Sequence, residues 1–221
     1  MKRKLAIVLA SGGIDSCATI AYALQDYRVA LLHVNYGQRT EKRELKAFNA
    51  IADFYGIKDR LVVDLIHLRL IGGSSLTDKV IPIPEEDTYK PSTYVPFRNA
   101  NLLACAVSWA EVIGAEKIFY GAITQDAPGY PDCRKEFVRA FNDLIKVGTQ
   151  KGNIEIIAPF IDWKKSDVIK KAVELGAPIH LTWSCYKNED IACGKCPSCK
   201  RRLDAFREAG IEDPIPYECS K

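Results

Sequence analysis

Two strings in this chain carry residue types at spacings that do chemistry. The first is Ser11-Gly12-Gly13-Ile14-Asp15-Ser16, directly after the apolar run Leu5–Ala10. Glycines at a strand-to-helix turn let the backbone approach an anion closely, and free N–H groups at the helix start point at it. Ser11 and Ser16 add hydroxyl donors. Asp15 would repel bare phosphate, so a carboxylate there fits phosphate carried with Mg²⁺. The bland reading is a tight turn in which Asp15 or Ser16 caps a helix. The full string is more specific than such a turn requires. Its spacing is neither the G-x-x-x-x-G-K-[ST] of kinase-type NTPases nor the G-x-G-x-x-G of dinucleotide binders.

The second string is Cys185-x7-Cys193-x2-Cys196-x2-Cys199. Overlapping C-x-x-C steps present three sulfurs to one ion, and Cys185 can close the tetrahedron. Four thiolates suit zinc, and a closed four-ligand site is structural, so the expectation is one zinc per chain. An iron–sulfur cluster and a redox C-x-x-C are the rivals. Gly194 and Pro197 supply the turns. Lys200-Arg201-Arg202 just beyond reads as the solvated face of a helix running to Glu208, with contact to anions as the alternative. The other cysteines, Cys17, Cys105, Cys133 and Cys219, are scattered and read as small core hydrophobes.

The elements that must position these strings are legible as alternation. Leu5–Ala10, Val29–Val34, Leu61–Leu65, Ile118–Gly121 and Ile154–Ile157 read as short buried strands. Leu45, Phe48, Ile51 and Tyr55 recur at helical spacing, as do Leu102, Leu103, Ala106, Val107 and Ala110, and Phe137, Ala140, Phe141, Leu144 and Ile145. Strands alternating with helices imply right-handed crossovers and a parallel sheet covered on both faces, an α/β doubly wound core. Residues 66–97, with four prolines, form a long connection that is either a lid or a disordered insert. The expected division is a core over 1–183 and a small zinc-binding subdomain over 184–221.

Bulk properties bound the rest. With 221 residues and 48% hydrophobic content the chain can bury an ordinary core, and a net charge of +3 is too mild for a nucleic-acid binder. The N-terminal apolar run is too short for a signal peptide, and no stretch approaches the roughly eighteen apolar residues of a membrane span. A cytoplasmic location and no disulfide framework are expected.

Ser11–Ser16 resembles the PP-loop of the ATP pyrophosphatase superfamily, which includes GMP synthetase, NAD synthetase, argininosuccinate synthetase and the tRNA thiolases. The resemblance implies a five-stranded parallel sheet of the adenine nucleotide alpha-hydrolase-like kind. It also implies cleavage of ATP between its α- and β-phosphates, and ATP held by Val8, Leu9, Ala10, Ser11, Gly12, Gly13, Ile14, Asp15, Ser16, Cys17 and Ala18. Further strings narrow the match: Asn35–Arg39, Val95–Asn99, Gly129–Phe137, Lys165, Thr182–Tyr186 and the four cysteines. Together these resemble the QueC family, the 7-cyano-7-deazaguanine synthases, over nearly the entire chain. Ala10 stands where that family often has Phe or Tyr, and Thr40 where many members have His.

What this resemblance implies is a ligase that turns 7-carboxy-7-deazaguanine, ammonia and ATP into the nitrile through an adenylate and an amide, in queuosine or archaeosine precursor synthesis. Asp15 and Lys165 become the catalytic candidates, with zinc as a structural ion and magnesium arriving with ATP. Arg98, Asn99, Tyr130 and Asp132 become the substrate-binding candidates, with Asp132 reading the N1–H and 2-amino edge of guanine and Tyr130 stacking on the base. The plainer role for Asp132 is a cap on the following helix, and Cys133 reads as structural. No glutaminase signature is visible, so free ammonium is the expected donor. No nucleic-acid or membrane partner is expected, and a homodimer is compatible with the reading. The alternatives are a PP-loop tRNA thiolase, disfavoured by the mild charge, and a non-catalytic zinc-knuckle adapter, which has no need of Asp15.

Overall fold

The structure, a computed structural model, describes residues 3–86, 90–123 and 129–218; Cys219 lies outside them. Five strands form one parallel sheet: β1 (Leu5–Leu9), β2 (Arg28–Asn35), β3 (Arg60–Asp64), β4 (Lys117–Phe119) and β5 (Glu155–Ile157). Strands of a parallel sheet are buried on both faces and so read as unbroken apolar runs. Ala6, Ile7 and Val8 at the centre of β1 are fully buried. Successive side chains point to opposite faces, and Ala6 and Val8 pack with one helical layer while Ile7 packs with the other. The first layer holds α1 (Ile14–Ala23), α2 (Glu41–Phe54) and α6 (Lys165–Glu174); the second holds α4 (Arg98–Ile113) and α5 (Lys135–Gly148).

The strand order is β3-β2-β1-β4-β5. The chain therefore winds outward from β1 to β3, then returns and winds the other way through β4 and β5. The loops leaving β1 and β4 part in opposite directions and open a crevice at the carboxyl ends of those two strands, where open α/β sheets bind ligands. All five expected strands are present. β4 ends at Phe119, two residues earlier than the apolar run implies, because Tyr120 and Gly121 turn to line that crevice.

The long connection is ordered over its described residues. It carries α3 (His67–Ile71) and buries Leu68, Leu76 and Val95 against Tyr36. Arg39 is its staple: the guanidinium donates to the carbonyls of Ser75 (2.7 Å), Asp78 (2.8 Å) and Ile81 (2.5 Å). Residues 87–89 of the connection lie outside the described residues.

The C-terminal stretch carries α7 (Pro197–Ala209), which packs Ala205 and Phe206 against Ile14 and Ile169. Here one expectation fails. Arg202 does not lie on a solvated face but is 0% exposed, forking onto Asp213 at 2.7 and 2.9 Å. It also donates to the hydroxyls of Thr182 (2.8 Å) and Ser184 (3.2 Å). The reason is helical periodicity: Arg202 falls three residues after Cys199 and four before Phe206, on the face that both bury. Only Lys200 of the basic run is exposed; Arg201 faces the crevice.

Removing Arg202 would strand Asp213, which is only 5% exposed. Breaking a buried pair from one side typically costs about 3–5 kcal/mol. Arg202→Ala should lose stability of that order in urea unfolding; a loss under about 1 kcal/mol would show that the pair contributes little.

Candidate active site

The crevice is a cavity of about 270 Å³. Its walls come from the loop after β1, from Val34 and Tyr36 at the end of β2, from Glu44 of α2, from the start of α4, from Tyr120–Ala122 after β4, from Lys165, and from Trp183, Ser184, Tyr186, Ser198 and Arg201. Of the eleven residues assigned to ATP, Leu9, Ala10, Ser11, Gly13, Ile14, Asp15 and Ser16 line it. Val8, Cys17 and Ala18 instead pack in the core beneath, and burial pushes the Cys17 thiol up to about 12, which makes it inert.

The loop is held from every side. Gly12 has φ +85°, and a Cβ there would lie 2.7 Å from the Glu44 carbonyl oxygen, so only glycine lets the loop pass α2. The Gly12 carbonyl accepts the Trp183 N–H at 2.9 Å. Ser11 Oγ accepts the Gly13 N–H (3.2 Å), and Ser16 Oγ donates to the Gly13 carbonyl (2.9 Å). Below, His33 Nδ1 pairs with the Ala10 carbonyl at 2.8 Å. Helix α1 then begins at Ile14 with no side-chain cap, which leaves its first N–H groups to face the cavity.

Asp15 and Lys165, 150 residues apart, meet at 2.6 Å with their side chains 21% and 16% exposed. The pair occupies Asp15 Oδ2. Its other oxygen, Oδ1, is buried without a hydrogen-bond partner, an arrangement that costs free energy unless a cation or donor arrives. Opposite, Gly121 lets β4 come close: a Cβ there would lie 2.9 Å from the Asp15 carbonyl carbon and oxygen and 3.1 Å from the Ser16 nitrogen.

The far wall is built by α4. Phe97 enters it at φ +56°, with its N–H on the Tyr94 hydroxyl (3.2 Å). Arg98 then lies over the Tyr36 ring at 5.5 Å and donates to its hydroxyl at 3.2 Å. Asn99 reaches Cys133 Sγ (3.5 Å), and the Tyr130 hydroxyl pairs with Thr93 (2.7 Å). Arg98, Asn99, Tyr130 and Cys133 line the cavity; Asp132 does not. Its Oδ2 accepts the Asn99 backbone N–H at 3.0 Å, and its buried Oδ1 has no partner. Asp132 thus caps α4, not the α5 that follows it, whose cap position is Arg134. Oδ2 is engaged with Asn99, and Oδ1 is the oxygen left open to a donor.

Glu44 was not among the residues singled out from sequence. Its carboxylate accepts from Thr40 (2.8 Å) and Gln38 (3.1 Å), and burial pushes its pKa up to about 7 against those two hydrogen bonds and the charge of Arg98. Gly121 is likewise not among the residues singled out, whereas Trp183 falls in the Thr182–Tyr186 string and Arg201 in the basic run whose alternative reading is contact to anions. A glycine directly after a buried strand was the one available signal for Gly121; nothing local marked Glu44.

The four cysteines converge. Their sulfurs all lie within 4.8 Å of one another, with Cys193 and Cys199 at 4.0 Å. A zinc ion with Zn–S bonds of about 2.3 Å needs tetrahedral edges of about 3.8 Å, so small adjustments close the site. Backbone N–H groups of Lys187, Asn188 and Cys193 point at Cys185 Sγ at 3.3–3.4 Å. Hydrogen bonds from Cys196 and Cys199 hold the Cys185 thiol well below its ordinary range. The same hydrogen bonds push Cys196 and Cys199 up, so a cation among the sulfurs is what would let all four ionise together. Among the described residues no helix is long and apolar enough to cross a membrane.

Comparison with known proteins agrees with this geometry. The family described as "Queuosine biosynthesis protein QueC" matches residues 5–210. A 7-cyano-7-deazaguanine synthase of Chloroherpeton thalassium is 56% identical over 218 residues, covering 96% of each chain. That of Chlorobaculum parvum is 53% identical over the same shares. That of Acidobacterium capsulatum is 49% identical over 223 residues, 98% of this chain and 97% of its own.

Gly121→Ala should fold but displace the Asp15 backbone, since the added Cβ would lie 2.9–3.1 Å from three backbone atoms of Asp15 and Ser16. Misplacement of reacting groups by about 1 Å costs about a hundredfold in rate. Turnover should fall by that order with circular dichroism unchanged; wild-type turnover would show that the approach of β4 to the loop is unimportant.

Proposed function

The chain belongs to the QueC family, and from that membership we propose a reaction path for its cavity. It forms 7-cyano-7-deazaguanine in queuosine biosynthesis. In the path we propose, the carboxylate of 7-carboxy-7-deazaguanine attacks the α-phosphorus of ATP, giving an acyl adenylate and pyrophosphate. Ammonia displaces AMP to leave the amide. A second ATP adenylates the amide oxygen, and elimination of AMP leaves the nitrile. The observation that carries this reading is the Asp15–Lys165 pair beside the loop, with Asp15 Oδ1 buried and unsatisfied.

Negative charge moves onto phosphate oxygens in both activations. The first N–H groups of α1 and the Lys165 ammonium are preorganised donors for it, and the Ser11 and Ser16 hydroxyls, bonded within the loop, would join them by rotating. Asp15 is the residue that would hold magnesium through Oδ1, and the ion would neutralise charge on the pyrophosphate. For the base, Tyr130 presents its ring at the wall, and Arg98 and Asn99 offer a cation and an amide. We assign Asp132 a contact through its unpartnered Oδ1. The four thiolates would hold one zinc, whose binding free energy fixes the tail locally.

Two experiments test this. Incubation with ATP, ammonium and the deazaguanine acid should yield the nitrile mass with AMP, and Asp15→Asn should abolish it without unfolding the chain. AMP formation with RNA and not with the acid would overturn the reading. Metal analysis should find one zinc per chain, lost in Cys196→Ser; iron with acid-labile sulfide in place of zinc would overturn that assignment.

A further inference from the structure

The path above leaves a chemical requirement unmet by the loop: nitrogen must lose protons. Ammonia that has attacked the acyl carbon carries one proton too many. In the second half the amide nitrogen must shed two more. Loop donors and Lys165 stabilise anions and take no part in this. A proton acceptor is needed in the cavity, with an affinity near neutral.

Among the described residues two carboxylates line the cavity, Asp15 and Glu44. Asp15 is paired with Lys165. Glu44 projects from α2 toward Arg98 of the Tyr36–Arg98 wall and lines the same space as Lys165. Both its oxygens are oriented: Thr40 Oγ1 donates to Oε1 and Gln38 Nε2 to Oε2. Gln38 is itself fixed, since its Oε1 accepts the Tyr36 N–H at 2.9 Å. Each carboxylate oxygen can accept a further bond, so both hydrogen bonds orient the group without exhausting it. Glu44 makes these two hydrogen bonds within its own turn of the chain and lines the cavity as well, so the same contacts that hold it in place present it to the substrate space.

We propose that Glu44 is the general base of the nitrogen-transfer steps, accepting protons from ammonia-derived nitrogen. The inference rests on the nitrile-forming reading. In the first transfer, the nitrogen lone pair forms the C–N bond while the bond from acyl carbon to the AMP oxygen breaks, and AMP keeps that electron pair. The nitrogen then gives its surplus proton to Glu44. In the second, ATP places its adenylyl group on the amide oxygen and pyrophosphate leaves. The nitrogen sheds its two protons as two further C–N bonds form, and AMP departs with the electrons of the C–O bond. Glu44 returns each proton to solvent.

The groups that set its charge are on three elements. Glu41 on the same helix opposes ionisation, while Arg98 of α4 favours it. Tyr36 after β2 faces it, and its hydroxyl stays protonated because burial raises its own pKa. The carboxylate form is the active one, so nitrile formation should rise with pH through about 7. Gln cannot titrate there, so that limb should vanish in Glu44→Gln.

The test separates the steps. Wild type, Glu44→Gln and Glu44→Asp are compared in ATP–pyrophosphate exchange driven by the deazaguanine acid, and in nitrile formation at fixed ammonia concentration across pH. For Glu44→Gln, exchange should survive while nitrile formation falls by about a hundredfold or more and loses its acid limb. Glu44→Asp, which keeps a carboxylate, should retain the limb at reduced rate. Equal loss of exchange and nitrile in Glu44→Gln would make Glu44 a support of the loop and overturn the proposal. So would undiminished nitrile formation. Absence of nitrile from wild type in the same assay would instead defeat the functional reading itself, and the base assignment with it.

Discussion

The loop Ser11–Ser16 is wedged between three backbones, and the rest of the molecule is arranged to keep it there. Gly12 passes α2 where any side chain would meet the Glu44 carbonyl. The Trp183 N–H holds the Gly12 carbonyl from the tail. Gly121 brings the end of β4 against the Asp15 backbone. A loop that binds phosphate by its own N–H groups cannot be positioned by side chains alone, because the donors are the backbone. It must be gripped by neighbouring backbone, and close backbone approach demands glycine. The parallel sheet supplies this by placing the carboxyl ends of β1 and β4 side by side at the point where the winding reverses.

The tail takes part in the same constraint. Cys185 follows Trp183 by two residues, so an ion held by the four sulfurs would fix the segment whose backbone clamps Gly12. Arg43 lies over the Trp183 ring at 4.3 Å, closing the contact from α2. Arg202 ties Thr182 and Ser184, on either side of Trp183, to Asp213. The four cysteines lie outside the cavity lining, yet the segment they anchor reaches the Ser11–Ser16 loop through the Trp183–Gly12 hydrogen bond.

Sequence made the sheet and the two motifs legible because each is written locally. A buried parallel strand is an apolar run, a phosphate loop is a glycine pair after one, and a metal knuckle is a cysteine spacing. What sequence left dark depends on contacts between distant residues. Arg202 reads as one of three adjacent cations, and only the docking of α7 shows that it is buried while Lys200 is not. Asp132 reads as a cap for the helix it precedes, but folding gives its oxygen to Asn99, 33 residues earlier. Glu44 sits in an ordinary charged helix, and its raised affinity for protons comes from burial beside Thr40 and Gln38.

The central claim is that this cavity activates substrate oxygen by adenylation, with Asp15, Lys165 and the loop aligned on the α-phosphorus. Labelling both carboxylate oxygens of 7-carboxy-7-deazaguanine with oxygen-18 and following the label by mass spectrometry tests it directly. The account predicts two AMP molecules per nitrile, each carrying one labelled oxygen, with none in pyrophosphate. Label appearing in inorganic phosphate alongside ADP, or lost to water with AMP unlabelled, would contradict it.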